Sequence, residues 1–327
     1  MIFKDFAEIK PNIFLVDIHQ MGMKHIASSF IFWDGTDCVI MDVGTSDDLL
    51  NLRRVLKKLE IPLEKIRCEV NTHYHFDHGG GSLALWNYIQ KKSADPKNFQ
   101  IWASQLTHDL IQNAGPHLEG ARTTFGDFVG KMDPIPEEGF RIINYDQDLP
   151  LDLQNGFSLR LLSTPGHSPD HACPTIYQDG KPYFCFTGES CGTLFHSTKL
   201  VSLPTSMPPH FNFDRYIAGV KKIQELHCDC LGFCHMGAIT TKEEAETFLA
   251  EHYAYMHNWR SKIFSAYAQE PATKYIIENT TEFWQDRFDF GDPSHWLFRN
   301  LQLALTYGMM VGLGLRKPKY EQKATKN

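Results

Sequence analysis

No run of the 327-residue chain is apolar for long enough to span a bilayer. The best stretch near its end, YGMMVGLGL, falls well short of the ~20 residues a membrane helix needs. Positive charge is also scarce. There are 32 Lys and Arg against 39 Asp and Glu, giving a formal charge of −7 with no dense basic run. Nucleic-acid binding is driven by phosphate neutralisation, so this balance argues against such a partner and favours a small or neutral substrate. No convincing G-x-S-x-G elbow is present to suggest a serine nucleophile. The start, MIFKDFAEIKPN, has early acidic residues and no long apolar core, so it does not read as a secretory signal, and a cytoplasmic location is expected. The eight cysteines, at 38, 68, 173, 185, 191, 228, 230 and 234, are scattered, which predicts reduced thiols instead of a disulfide framework. In HCDCLGFCH, 227–235, the C-x-C-x3-C spacing is not a usual structural-zinc pattern, so these cysteines read as buried and inert.

At 42% hydrophobic the chain can bury a large core. NIFLVDI (12–18), SSFIFWD (28–34) and DCVIMDVG (37–44) read as strands, with Asp34-Gly35 as a hairpin turn. SDDLLNLRRVLKKLEI (46–61) has helical spacing. Further strands are read at CEVNTH (68–73), FQIWAS (99–104), FSLRLLST (157–164), KPYFCFTGES (181–190) and CLGFCH (230–235); the stretch after 104 is uncertain. This predicts an α/β body of about 240 residues. After it, 240–269 reads as a long amphipathic helix with an acidic first turn, followed by helices in ATKYIIENTTEFWQDRF and SHWLFRNLQLALTYGMMVGLGL. The breaker DFGDP separates those two, and RKPKYEQKATKN reads as a solvated tail. The domain expectation is 1–240 as catalytic body and 241–327 as a helical extension capping the face that carries the chemistry. No internal repeat or low-complexity tract is evident.

Four strand ends deliver His, Asp or Glu, the place where open α/β sheets put their chemistry. The densest is NTHYHFDHGGG, 71–81, with His73, His75, Asp77 and His78 within six positions. In an extended segment residues two apart share a side, so His73 and His75 can grip one ion. A turn into helix at Asp77 then directs Asp77 and His78 to a second position. One tetrahedral ion cannot take all four donors, so the spacing points to two metals. The glycines at 79–81 are expected to let the backbone pass close to the ions. Burying unpaired imidazoles and a carboxylate together without such a role is costly.

HYHFDHGGG (73–81) resembles the H-x-H-x-D-H signature of the metallo-β-lactamase superfamily. MDVGT (41–45), TPGHS (164–168), FTGES (186–190) and FCHMG (233–237) follow that family's order and approximate spacing. The resemblance implies an αββα four-layer sandwich. It implies a first metal on His73, His75 and His167 and a second on Asp77, His78 and His235. It also implies Glu189 at the position where family members place a bridging aspartate, and Asp42 as an acid supporting the ligand loop. Cys191 is read as packed near Glu189, and Asp170 and His171 as fixing their loop.

The implied chemistry is hydrolysis by a metal-bridging hydroxide, with Asp77 available to protonate the leaving group. Two divalent ions per chain are expected, zinc first, with iron or manganese as alternatives. A thioester, ester or lactone of a small molecule is the leading substrate class. A phosphodiesterase, a diiron oxygen-binding or redox protein, and a non-catalytic sensor are the competing functions. His75 stands where the oxygen-handling flavodiiron branch typically has glutamate, and no flavodoxin-like segment follows. Tyr253, Tyr255, Met256 and His257, on the long helix, are candidates for the substrate wall, with ordinary helix packing as the alternative. No nucleic-acid or membrane partner is expected; a homodimer is compatible with the reading.

Overall fold

Apolar side chains alternate along the first strands, yet both alternating sets are buried. In Ile13–Asp17, Ser28–Trp33 and Cys38–Met41, the side chains of Ile13, Leu15, Phe30, Phe32, Val39 and Met41 enter one core. Val16, Ile31, Cys38 and Ile40 enter another. Successive strand side chains point to opposite faces, so such a sheet must be covered on both. The Asp34-Gly35 turn forms the expected hairpin, pairing Phe30 with Met41 and Trp33 with Cys38.

The computed structural model describes residues 2–147, 150–288 and 296–318. Among these, two seven-stranded sheets stack. The first runs in chain order through Ala7–Lys10, Ile13–Asp17, Ser28–Trp33, Cys38–Met41, Ile66–Val70, Gln100–Ala103 and Phe140–Ile142. Its last three junctions are parallel and need crossovers, which helices such as Leu49–Lys58 and Ser82–Lys92 supply. The second is ordered Ile2–Phe3, Ala238–Ile239, Leu231–Gly232, Lys181–Phe186, Ala172–Gln178, Phe157–Ser163, Leu151–Asp152. Between the sheets, the ring of Phe30 lies 5.0 Å from Phe184 and 4.9 Å from Phe186.

Helices close both outer faces, giving a helix–sheet–sheet–helix sandwich. Leu52, Leu56, Leu85 and Ile89 pack with Ile31 and Ile40 over the first sheet. Over the second, helices Phe213–Glu225, Lys242–Gln269 and Trp296–Gly312 share one cluster with Leu231 and Phe233. Lys242–Gln269 starts as its sequence predicts: Thr241 caps it through the Glu244 amide, and Glu243 and Glu244 sit in its first turn. The uncertain middle is helical at Gln105–Gln112 and Gly115–Phe125. DFGDP and residues 319–327 of the tail lie outside the described residues. No helix among the described residues is long and apolar enough to cross a membrane.

Candidate metal centre

Strand ends from both sheets converge on one point. Met41 leads to Asp42 and Val70 to the histidine motif in the first sheet, while Ser163 leads to His167, Phe186 to Glu189 and Gly232 to His235 in the second. His73 and His75 lie beyond the strand, and His75 precedes the short helix Phe76–Gly79, so Asp77 and His78 are helical as expected. A Cβ on Gly81 would come within 3.0 Å of the Val43 and Thr45 carbonyls, so at this position glycine lets the chain pass the neighbouring strand end. The Gly81 amide donates to Gly44 O at 2.9 Å.

Two donor groups result. The ligating atoms of His73, His75, His167 and Glu189 lie within 4.8 Å of one another, as do those of His78, Glu189, Cys234 and His235. Glu189 Oε2 belongs to both, at 2.7 Å from His167 Nε2, 3.4 Å from His73 Nε2 and 3.7 Å from His78 Nε2. Asp77 stands beside the second group, 3.4 Å from His235 Nε2 and 3.6 Å from His78 Nε2.

The outer hydrogen bonds decide which way the ring protons point. His167 Nδ1 donates to Thr205 O at 2.5 Å, and His235 Nδ1 donates to Ile26 O at 2.9 Å. His78 Nδ1 donates to Asp42 Oδ2 at 2.9 Å. The Thr72 hydroxyl donates to Asp42 Oδ2, so it accepts from His73 Nδ1 at 3.0 Å. Asp42, whose Oδ1 also takes the Thr72 amide, thus orients two histidines at once. Four Nε2 lone pairs are left facing inward. His73 Nε2 and His75 Nδ1 are 2.9 Å apart, and His167 Nε2 is 3.1 and 3.2 Å from them, distances at which bare lone pairs repel unless a cation lies among them. His78 Nε2 is buried with no hydrogen-bond partner.

Electrostatics state the same demand for positive charge. Burial holds His73 and His75 well below the usual imidazole range. Burial also acts against a charged His78, but Asp77, Asp42 and Glu189 outweigh it and hold that ring up at about 9. His235 is raised in the same way by Asp77 and Glu189. Protons on these two rings, or a cation replacing them, satisfy the carboxylates. The residues present therefore fit divalent metal, with His, carboxylate and thiol donors in the range zinc accepts.

Several neighbours were not legible in the sequence. His117 stacks on His75 with ring centroids 4.7 Å apart, and its Nε2 accepts from the Phe76 amide. A lone histidine in the uncertain middle gave no signal. Cys234 enters the second donor group although its run reads as inert, whereas Cys191 belongs to neither group. The position of Cys234 directly before His235 was the available clue. His171 Nε2 accepts from the Glu189 amide at 3.1 Å, and Asp170 accepts from the Tyr74 amide and the Ser168 hydroxyl, so both hold loops. The letters GESCG (188–192) spell a serine elbow, but Ser190 is buried and follows a strand end that does not continue into a helix. Of the proposed wall residues, Tyr255 and Met256 are buried in the helix-packing core. Tyr255 lies under the Arg287 guanidinium, and His257 packs against Phe213 and Tyr253.

A family model described as Metallo-beta-lactamase superfamily matches residues 23–188, just over half of the chain. The chain belongs to the metallo-beta-lactamase superfamily. Its class is accordingly that of the superfamily's metal-dependent hydrolases. The Metallo-beta-lactamase fold-containing protein ST1585 of Sulfurisphaera tokodaii is 26% identical over 219 residues, 66% of this chain and 75% of that protein. Its crystal structure superposes with a TM-score of 0.63 at 20% identity, covering 91% of this chain and 98% of that one. A metallo-beta-lactamase family protein of Thermus thermophilus, TTHA1429, gives 0.62 at 16% identity, covering 94% of each chain. An Atrochrysone carboxyl ACP thioesterase of Passalora fulva is 22% identical over 214 residues, 65% of this chain but only 48% of that protein.

Proposed function

We propose that the chain is a dinuclear metallohydrolase that cuts a thioester, ester or lactone of a small molecule, with zinc as its resident metal. The observation that carries the dinuclear reading is the position of Glu189 Oε2 within reach of both donor groups. Two bound divalent ions supply a water of lowered pKa and polarise the scissile carbonyl. The chain's own residues do the rest. Thr205, Ile26 and Asp42 fix the histidine rings from behind, and Thr72 relays Asp42 to His73. Asp77 Oδ2 is the proton carrier. Its carboxylate stands 3.4 Å from His235 Nε2 and 3.6 Å from His78 Nε2, beside the second donor group, from where it would pass a proton to the leaving group. Burial works against its charge, yet His78 and His235 hold the carboxyl well below the usual carboxylate range, so it is ionised at rest.

The acidic charge of the chain disfavours polyanionic substrates, and the thioesterase among its relatives supports the acyl class. Helices beyond residue 240 are proposed as part of the site's surroundings, with small molecules as the partners. Generic thioester, lactone and phosphodiester substrates, turned over by wild type and by His75→Ala, test the reading. The wild type should hydrolyse an acyl substrate and the variant should lose that activity by orders of magnitude. Elemental analysis should find two metal ions per chain; equal background rates in both proteins would defeat the hydrolase assignment.

A further inference from the structure

The helix Lys242–Gln269 reaches the loops of the metal centre through His252, a residue fully buried on its inner face. Its ring occupies a slot that a larger neighbour would close. Gly192, at φ +83°, has the His252 Cε1 and Nδ1 atoms 2.8 Å from where a Cβ would stand, and Leu203 O at 2.7 Å. The imidazole is thereby wedged between the turn that carries Glu189 and the segment around Ser202–Ser206, whose Thr205 carbonyl orients His167.

A continuous set of hydrogen bonds runs through that wedge. Ser202 Oγ lies 2.7 Å from His252 Nδ1, and His252 Nε2 lies 2.9 Å from Tyr216 Oη. Tyr216 Oη is 3.0 Å from Thr205 Oγ1, and Thr205 Oγ1 donates to the Glu189 carbonyl at 2.7 Å. The proton order is fixed from the far end. A carbonyl only accepts, so the Thr205 hydroxyl spends its proton on Glu189 and takes one from Tyr216. Tyr216 then accepts from His252 Nε2–H, which leaves Nδ1 to accept from Ser202. With this tautomer each of the four contacts carries one proton; the Ser202 hydroxyl also lies 3.3 Å from Glu251 Oε2, the longer of its two side-chain contacts. Burial keeps the ring neutral, pushing it down to about 3, which suits the assignment. Ser202 is itself clamped: Arg287 donates to its carbonyl at 2.8 Å and to Glu251 at 2.7 Å, while its amide donates to Glu251 at 3.2 Å.

We propose that His252 is a positioning residue of the metal centre: by joining Ser202 to Tyr216 it fixes the two loops that present Glu189 and aim His167. The proposal rests on the metal-binding part of the functional reading and is independent of the substrate. It makes a residue from beyond position 240 part of the apparatus that holds the ions.

The test uses the full chain and metal affinity, with no substrate. Zinc dissociation constants, measured by chelator competition, and the visible spectrum of cobalt-loaded protein are compared for wild type, His252→Phe, His252→Gln and Tyr216→Phe. Loss of an outer hydrogen-bond partner of a metal site weakens affinity roughly 10-fold or more, and His252→Phe should fall in that range with a shifted cobalt spectrum. Tyr216→Phe should show a smaller loss of the same kind. His252→Gln, whose side-chain amide can still donate to Tyr216, should recover part of the affinity. A merely structural residue would lower the melting temperatures of zinc-free and zinc-loaded protein equally and leave affinity unchanged, and that result overturns the proposal. Should His252→Phe fail to fold, unchanged zinc affinity in Tyr216→Phe overturns it as well. Protein that binds zinc with the expected order of affinities but hydrolyses no acyl substrate supports this role and removes the hydrolase reading instead.

Discussion

Glu69 sits in the strand that launches the histidine motif, fully buried. One carboxylate oxygen accepts from the Ser82 hydroxyl, which also receives Asn71 Nδ2, and the other has no partner. Burial pushes its acid up to about 7, against the pull of the Ser82 and Asn71 hydrogen bonds. A folded-state pKa above the unfolded one means that the native protein binds the extra proton. Stability from this group is therefore complete below about 4.5 and is lost as pH rises through about 7. His73 and His75, held low by burial, act in the opposite sense and lose stability as pH falls through the imidazole range, so the wild-type curve mixes both. Glu69→Gln isolates one of them. Its stability relative to wild type should grow between pH 5 and 7 by roughly 1.4 kcal/mol per pH unit and then level off. Urea titrations at several pH values measure this, and a difference independent of pH would show that Glu69 is solvated. At the same scale, the densely packed motif was legible because four coordinating residues in six positions have few other uses. His117 and His252 were not, because a single histidine acquires meaning only from what the fold sets beside it.

Among elements, the loop after Phe157–Ser163 depends most on backbone shape. Gly166 has φ +153°, and a Cβ there would run into the backbone N and Cα of Tyr216 in the next helix. Its carbonyl accepts from the Asn212 amide at 2.8 Å. The loop is therefore laid directly on the amino end of helix Phe213–Glu225, and His167 is aimed from that contact. Gly166→Ala should cost about 1–3 kcal/mol through strain and clash, and should lower bound zinc by moving His167. Thermal unfolding with and without metal, with elemental analysis, tests both parts. Strands with clear two-residue alternation or hairpin turns, such as Ser28–Trp33 and Cys38–Met41, were readable in advance. Ala172–Gln178 was not: its first five residues are all buried and include Pro174, so neither alternation nor composition marks it. Helix Phe213–Glu225 follows the proline-rich LPTSMPPH, which obscures a periodicity that Phe213, Tyr216, Ile217, Val220 and Ile223 do possess.

At the level of the whole molecule, the question is whether the last helices are an addition or a layer. Phe248, Met256, Trp259, Ile263 and Trp284 are all fully buried, within the cluster that covers the second sheet. Burying each such side chain is worth about 1.5–3 kcal/mol, so together they rival the ~5–15 kcal/mol by which a typical protein is stable. A chain ending at residue 240 should therefore fail to fold cooperatively, seen as lost near-ultraviolet circular dichroism and aggregation. A folded, metal-binding 1–240 fragment would instead establish the helices as separable. The sequence marks where the helices begin but not what they cover, because an apolar helix side shows that something is buried there without naming the surface it meets.

The eight cysteines are free and all buried, in strands such as Cys38–Met41 and Ile66–Val70 of one sheet and Ala172–Gln178 and Lys181–Phe186 of the other. A thiol-reactive dye is thus shut out of the native protein and gains entry only through opening. Each sulfur becomes a dated witness: sequencing the labelled peptides during gentle warming would tell which half of the sandwich loosens first, and added zinc should silence Cys234 longest if the ions staple the two halves together.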